Sequence, residues 1–306
     1  MTGTAAVVGI VPHHIRPQAA ELALFLARQF EERGAEVRVP ASDADVTGLG
    51  RWSYPDERFG ESMTVALSLG GDGTMLRAVD LVVNHDVAVL GVNIGHLGYL
   101  TAIAPEEAEH HVDDLLAGRF LVELRMTLAV HVDGAAGTQP RMYTALNEAV
   151  LEKSAAGNTV RLGVALNGVP FTDYSADGLI VATPTGSTAY AFSSRGPVVS
   201  PLLRAMVVVP VAAHMLFDRS LVLDPGEEVT VRVHDGRKAS LFVDGRPCGE
   251  VPEGSTVRVV EGPRPARLVT FRARDFHQIL RAKFGLATPR TWEGDPAAAP
   301  APGRAR

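Results

Sequence analysis

Three strand-length runs within the first hundred residues carry almost no polar side chains: "AAVVGIV" (5–11), "TVALSLG" (64–70) and "VAVLGVN" (87–93). A strand that is apolar on both faces has to be covered on both faces, the condition found in a parallel sheet flanked by crossover helices. The intervening segments supply the helices. In "PQAAELALFLARQFEERG" Leu22, Phe25, Leu26 and Phe30 recur at helical spacing and Gly34 is the stop. "TMLRAVDLVVN" follows the second run, and "PEEAEHHVDDLLAG" opens on Pro105 and two glutamates, residues suited to a helix N-terminus. "EVRVP" reads as one more strand. Residues 41–62 mix Gly, Pro, Ser and Asp without periodicity and are expected to form a long loop or lid-like excursion.

The texture changes after Gly118. From Phe120 to about Thr270 the chain reads as short strands punctuated by hairpin dipeptides, "NG" at 167–168 and "DG" at 235–236 and 244–245. The expected architecture is therefore an α/β domain with a mostly parallel sheet over residues 1–118 and a β-rich, sandwich-like domain over 119–274. A last helix at 275–285 begins at the capping residue Asp275 and is expected to pack back on the first domain. The Pro- and Ala-rich tail, 289–306, cannot bury apolar surface and is expected to be disordered.

Composition narrows the function classes. A net charge of −6 over 306 residues offers no global attraction to nucleic acid or an anionic membrane. One cysteine, Cys248, excludes an intrachain disulfide and a cysteine-based zinc site. No apolar stretch approaches the ~18 residues of a membrane span, and the N-terminus lacks the pattern of a secretory signal, so a cytoplasmic location is expected. The histidine pairs His13-His14 and His110-His111 do not converge on one metal and are assigned to solvated or packing roles; lone His214 is read as core or surface.

The second apolar run ends in "LSLGGDGTML" (67–76). A glycine turn between a strand and a helix presents backbone N–H groups and the positive end of the helix, which favour a phosphate. Asp72 in the middle of those donors would repel a bare phosphate. It makes sense beside a hydroxyl or a magnesium ion, the alternative being an ordinary helix N-terminus. The run is not a P-loop, no strand leads into G-x-G-x-x-G, and a G-x-S-x-G elbow is missing. Arg77, one turn further, is either a phosphate or ribose contact or a solvated helix residue. "GVNIGHLGYLT" (91–101) is a second glycine-rich turn at the same sheet edge. In "ALNEAVLEK" Asn147 and Glu148 interrupt an apolar strand, an amide–carboxylate pair suited to the two hydroxyls of a ribose. In "SADGLIVATPTGSTAYAFSSRGP" Asp177 precedes a strand, Thr185, Ser187 and Thr188 offer a hydrogen-bonding rim, and Tyr190 offers a face for an aromatic base.

Taken in order, "GGDGT", "GVNIGHLGYLT", Asn147-Glu148 and "DGLIVATPTGSTAYAFSSRGP" resemble the NAD kinase family. "GGDGT" is shared with diacylglycerol, sphingosine and phosphofructo-type kinases; "TPTGSTAY" after an aspartate is much narrower. The resemblance implies a site in a cleft between the two domains. It also implies transfer of the γ-phosphoryl of ATP, or of polyphosphate, to the 2′-hydroxyl of the adenosine ribose of NAD. It makes Asp72 the general base and sets Gly73 against the ribose and phosphates. Asn147 and Glu148 would hold a ribose, and Asp177 would contact the nicotinamide end. Thr188, Ala189, Tyr190 and Ser193 would surround the adenine, with Tyr99 closing the pocket. A divalent metal, Mg²⁺ or Mn²⁺, is implied as the companion of ATP with no dedicated protein cage, as is a homo-oligomer, dimer or tetramer. Arg195 and Ser220 stand where the family has glycine and proline, and Asn158 and Ser175 where it is often more basic or bulkier. Those departures bear on the donor and on the choice between NAD and NADH. The rival readings are a lipid or sugar kinase of the same superfamily and a non-catalytic NAD sensor.

Overall fold

The computed structural model describes residues 5–43, 48–95, 98–133, 139–155, 158–234, 238–273 and 275–286. In chain order the strands are β1 (Val7–Pro12), β2 (Glu36–Pro40), β3 (Ser53–Tyr54), β4 (Val65–Gly70), β5 (Ala88–Asn93), β6 (Leu121–Arg125), β7 (Leu128–Asp133), β8 (Arg141–Ala145), β9 (Glu148–Lys153) and β10 (Val160–Leu166). They continue with β11 (Val169–Ala176), β12 (Gly178–Ala182), β13 (Met206–Val211), β14 (Leu221–Leu223), β15 (Val229–Val233), β16 (Ala239–Val243), β17 (Arg246–Val251), β18 (Thr256–Glu261) and β19 (Ala266–Thr270). The helices are α1 (Pro17–Glu32), α2 (Asp72–Val82), α3 (Pro105–Ala108), α4 (Val112–Leu116), α5 (Tyr190–Ser193) and α6 (Phe276–Phe284).

The apolar runs form the expected parallel sheet, in the order β3-β2-β1-β4-β5-β19-β6, with only β6 antiparallel to its neighbour. Alternation along β1 assigns its two faces. Val8 and Ile10 pack with Ala23, Leu26 and Phe30 of α1. Val7 and Val11 pack with Met75, Ala78 and Val79 of α2. Strands β6 and β19 come from beyond residue 118, so the sheet draws on chain from both sides of the boundary expected there. Strand β19 covers an edge of β5 that would otherwise be open.

The lid-like excursion expected at 41–62 is packed down instead. Leu49, Trp52 and Phe59 are buried, and β3 extends the sheet edge. The Trp52 indole donates to Glu31 at 2.8 Å and Arg38 donates to the Glu61 carbonyl at 2.6 Å. Scattered single aromatics have no period to read, which hid this packing from sequence; residues 44–47 lie outside the described residues.

The β-rich part is a sandwich of two antiparallel sheets, β11-β10-β15-β18-β7-β8 and β14-β13-β12-β9-β16-β17. Leu128, Leu162, Tyr174 and Val231 of one sheet interlock with Leu151, Leu179, Val208 and Leu241 of the other. Asn167-Gly168 and Asp244-Gly245 are two-residue hairpin turns with positive φ at both residues; residues 235–236 lie outside the described residues. Helix α6 belongs to a separate unit, 274–306. Asp275 accepts hydrogen bonds from the N–H groups of His277 and Gln278, and Gly285 ends the helix in the left-handed region. The 289–306 tail lies outside the described residues.

Candidate active site

Strand β4 ends in the glycine turn and α2 starts at Asp72, with Gly71 as the cap residue. No side chain caps this helix, so Asp72 is not spent on its own N-terminus. Its carboxylate reaches across to the second glycine-rich turn. Oδ2 accepts the Tyr99 N–H at 2.8 Å and Oδ1 accepts the Leu100 N–H at 3.0 Å. Gly98 allows the approach, because a Cβ there would lie 2.2 Å from Asp72 Oδ1. Two donors fix the carboxylate plane while each oxygen keeps a lone pair for a further donor. Half-buried Tyr99 stands beside it, its phenol pushed upward by burial and then by the Asp72 charge.

The glycine turn opens on a cavity of about 320 Å³ lined by His13, His14, Arg16 and Arg77 together with Gly71 and Gly73. A Cβ at Gly71 or Gly73 would meet nothing within 4 Å, so the space above the turn is open. Arg77 is neither solvated nor loose. It donates to Asp43 Oδ1 at 2.7 Å and to the Ser42 hydroxyl at 2.6 Å. Asp43 is fully buried and also stands 3.0 Å from His14; burial raises its carboxyl pKa and Arg77 opposes that rise. Burial, then Arg16 and His14, push His13 downward. Arg16 pairs with no carboxylate among the described residues. The pair His13-His14, read from sequence as solvated or packing, thus lines the cavity over the glycine turn, where β1 ends beside β4. Adjacency along the chain said nothing about the neighbouring strand's turn. His111 does pack, its ring stacked on Phe271 at 3.5 Å.

A second cavity of about 310 Å³ lies over the start of β9 and is lined by Glu148, Val150, Glu152, Tyr190, Phe242 and Gly245. Glu148 is buried, the Tyr190 N–H faces its carboxyl, and Oε2 is enclosed without a hydrogen-bond partner among the described residues. Burial, and then the charge of Asp244, push its pKa up to about 8. Such an orphaned oxygen is a place for a ligand's polar group. Half-buried Asn147 stands one residue earlier. Tyr190 is partly exposed, and its hydroxyl donates to Glu152 at 2.7 Å; burial first, and that bond second, raise its phenol to about 12. Asp177 is paired with Lys153 at 2.6 Å rather than free.

The "TPTGSTAY" segment is a 3₁₀ turn running into α5. Its hydroxyls do not all form the rim expected of them. Ser187 is fully buried, donating to the Pro184 carbonyl at 2.7 Å and accepting the Val199 N–H at 3.0 Å. Thr185 is buried against Arg125. Thr188 and Ala189 are half-buried and Ser193 is exposed. The segment is locked under the Asn147 backbone: Thr183 N–H donates to the Asn147 carbonyl at 2.8 Å, and a Cβ on Gly186 would lie 2.2 Å from that oxygen.

The residue that sequence reasoning passed over is Asp244, read only as half of a hairpin dipeptide. Its carboxylate accepts the N–H groups of Leu146 at 2.8 Å, Asn147 at 2.7 Å and Glu148 at 3.1 Å. Leu146 in turn packs with Met75 and Leu100 in the cluster under α2. The acid-lined cavity is thereby tied to the glycine turn.

A glycine turn opening on an arginine-lined cavity, with the Asp72 carboxylate beside it and one core joining it to a cavity lined by Glu148 and Tyr190, is an arrangement suited to a nucleotide-dependent phosphotransferase. Residues 8–120 match the ATP-NAD kinase N-terminal domain and residues 146–271 the ATP-NAD kinase C-terminal domain. NAD kinase of Moorella thermoacetica is 36% identical over 95% of this chain and 93% of its own length. That of Corynebacterium diphtheriae is 38% identical over 93% and 92%. Yeast NADH kinase, solved in complex with NADH, superposes with a TM-score of 0.85 at 22% identity, covering 95% of this chain and 90% of that one. The NAD kinase of Archaeoglobus fulgidus, solved in complex with ATP, gives 0.67 at 23%, covering 92% and 98%. The chain belongs to the NAD kinase family.

Proposed function

We propose that the chain transfers the γ-phosphoryl group of ATP to the 2′-hydroxyl of the adenosine ribose of NAD. The observation that carries this is Asp72, held by two N–H groups at the edge of an anion pocket and unused as a helix cap. In that position it accepts the proton of the attacking hydroxyl while the phosphates lie on the glycine turn. Gly73 leaves room for them, and Arg16 and Arg77 supply the balancing positive charge. Asn147 and Glu148 hold the ribose. At neutral pH Glu148 is largely a neutral acid, so its O–H can donate to a sugar oxygen. Tyr190 stacks on the adenine, with Thr188, Ala189 and Ser193 around its edge, Tyr99 closes the pocket, and Asp177 faces the nicotinamide end.

Magnesium or manganese enters with the nucleotide and neutralises its charge. The phosphate oxygens would hold most of such an ion, and Asp72 is the carboxylate at the glycine turn that could add to them. Leu121, Leu124, Leu202 and Leu203 are exposed, and the last three line an apolar cavity of about 460 Å³; they support self-association into a homo-oligomer. No described helix is long and apolar enough to cross a membrane.

The test is formation of NADP from every pairing of ATP or polyphosphate with NAD or NADH, for wild type and Asp72→Asn. The variant is expected to bind NAD normally and lose about 10²–10⁴ in kcat. Near-normal turnover would remove Asp72 from the base role. Phosphorylation of diacylglycerol in place of NAD would favour the lipid-kinase rival.

A further inference from the structure

The hairpin joining β16 to β17 makes three kinds of contact within three residues. Asp244 is half-buried with both carboxylate oxygens engaged, although Asp in a two-residue turn is usually solvated. Its two oxygens take three successive N–H groups, those of Leu146, Asn147 and Glu148, and its own N–H donates to the Glu148 carbonyl at 3.0 Å. Gly245 forms part of the wall of the Glu148 cavity, as does Phe242 just before the turn. Arg246 leaves the sandwich and forms an ion pair with Asp80 on α2, the helix whose first residue is Asp72. Asp80 lies two turns along that helix and has no part in the anion pocket.

A strand needs no carboxylate beneath its first residues, since its N–H groups could pair with the next strand or with water. Burying an ionisable group to collect three of them is costly unless their placement matters. Burial raises the Asp244 carboxyl on balance and the three N–H groups oppose that rise, so its oxygens are committed to this stretch of backbone. The same hairpin then reaches Asp80 on the other domain. We propose that the tip Asp244–Arg246 is the positioning element of the reaction: Asp244 presents Asn147 and Glu148 to the acceptor, and Arg246 registers that pair against the helix carrying Asp72. This rests on the ribose-holding reading of Asn147 and Glu148.

The two halves predict different kinetic signatures. Asp244→Asn puts an NH₂ group where a carboxylate oxygen accepted an N–H, so the presented pair is displaced. The KM for NAD is expected to rise about tenfold and the KM for ATP to stay within about twofold. Arg246→Met leaves the acceptor pair intact but frees its register. The expected result is a fall in kcat of about tenfold with the KM for NAD nearly unchanged. Asp80→Asn should reproduce it, and the double variant should be no worse than either single one. Glu148→Ala is the control on the underlying reading. If it leaves the KM for NAD unaltered, the ribose assignment fails. If it raises that KM while Asp244→Asn does not, only the positioning role fails. Should Asp244→Asn fail to fold, the Asp80–Arg246 cycle decides alone: additive losses, or losses spread equally over kcat and both KM values, would overturn the proposal.

Discussion

Replacing Glu148 by Gln isolates the cost of holding a proton in the acceptor cavity. The carboxyl titrates near the ordinary 4.5 in the unfolded chain and at about 8 in the folded one, because burial and the Asp244 charge disfavour its ionised form. The sign follows from proton counting. Between those values the native state keeps a proton that the unfolded state releases, so this group's contribution is complete below about pH 4.5 and is lost as pH rises through 8. Each unit of pH in that window removes about 1.4 kcal/mol. From pH 5 to pH 7.5 wild type should lose about 2–3 kcal/mol more than Glu148→Gln, which cannot titrate. For a chain of this length that is roughly 5 °C in Tm. The assay is urea unfolding of both proteins at half-unit pH steps, read as the difference between the two curves so that every other titrating group cancels. Parallel curves over this window would refute the reasoning: Glu148 would then be ionised in the fold, and it could not donate a proton to a sugar oxygen.

Tyr190→Ala should weaken NAD binding about tenfold or more by loss of a stacking face. Tyr190→Phe, which loses only the bond to Glu152, should cost no more than about fivefold; calorimetric titration with NAD separates the two, and equal losses would make the hydroxyl rather than the ring the important part. Gly186→Ala drives a methyl group into the Asn147 carbonyl. It should lower stability by about 1–3 kcal/mol and raise the KM for NAD, both read from one preparation by melting and steady-state kinetics. Arg16→Met removes a cation with no carboxylate partner among the described residues. The KM for ATP should rise several-fold and depend less steeply on salt, while that for NAD stays level; an unchanged KM for ATP would take Arg16 out of the donor pocket.

Much of the site was legible one segment at a time. The glycine turn, the Asn147-Glu148 pair and the "TPTGSTAY" turn are each short and local, with residue types that a helix start or a strand does not need. Their internal wiring was not legible. Ser187 and Tyr190 stand three residues apart, yet one hydroxyl is locked inside the turn and the other faces the cavity. The excursion at 41–62 read as a lid because polarity without period looks like a loop, whereas Trp52 and Phe59 anchor it.

The sequence by itself determined what depends on neighbours along the chain. Apolar runs covered on both faces require a parallel sheet. A glycine turn between a strand and a helix sets a local bend with free backbone N–H groups, and dipeptides such as Asn167-Gly168 set hairpins. Only the tertiary structure decided what depends on residues far apart in number: that Asp72 is held by the backbone of 99–100, that His13 and Arg16 join the glycine turn, and that Asp244 serves the residues a hundred positions before it. The physical reason is that hydrogen bonding and burial act over a few ångströms of space, and a sequence records distance only along the chain. Asp244 carries the same letters as any hairpin turn, and only in space do its oxygens meet the N–H groups of Leu146, Asn147 and Glu148.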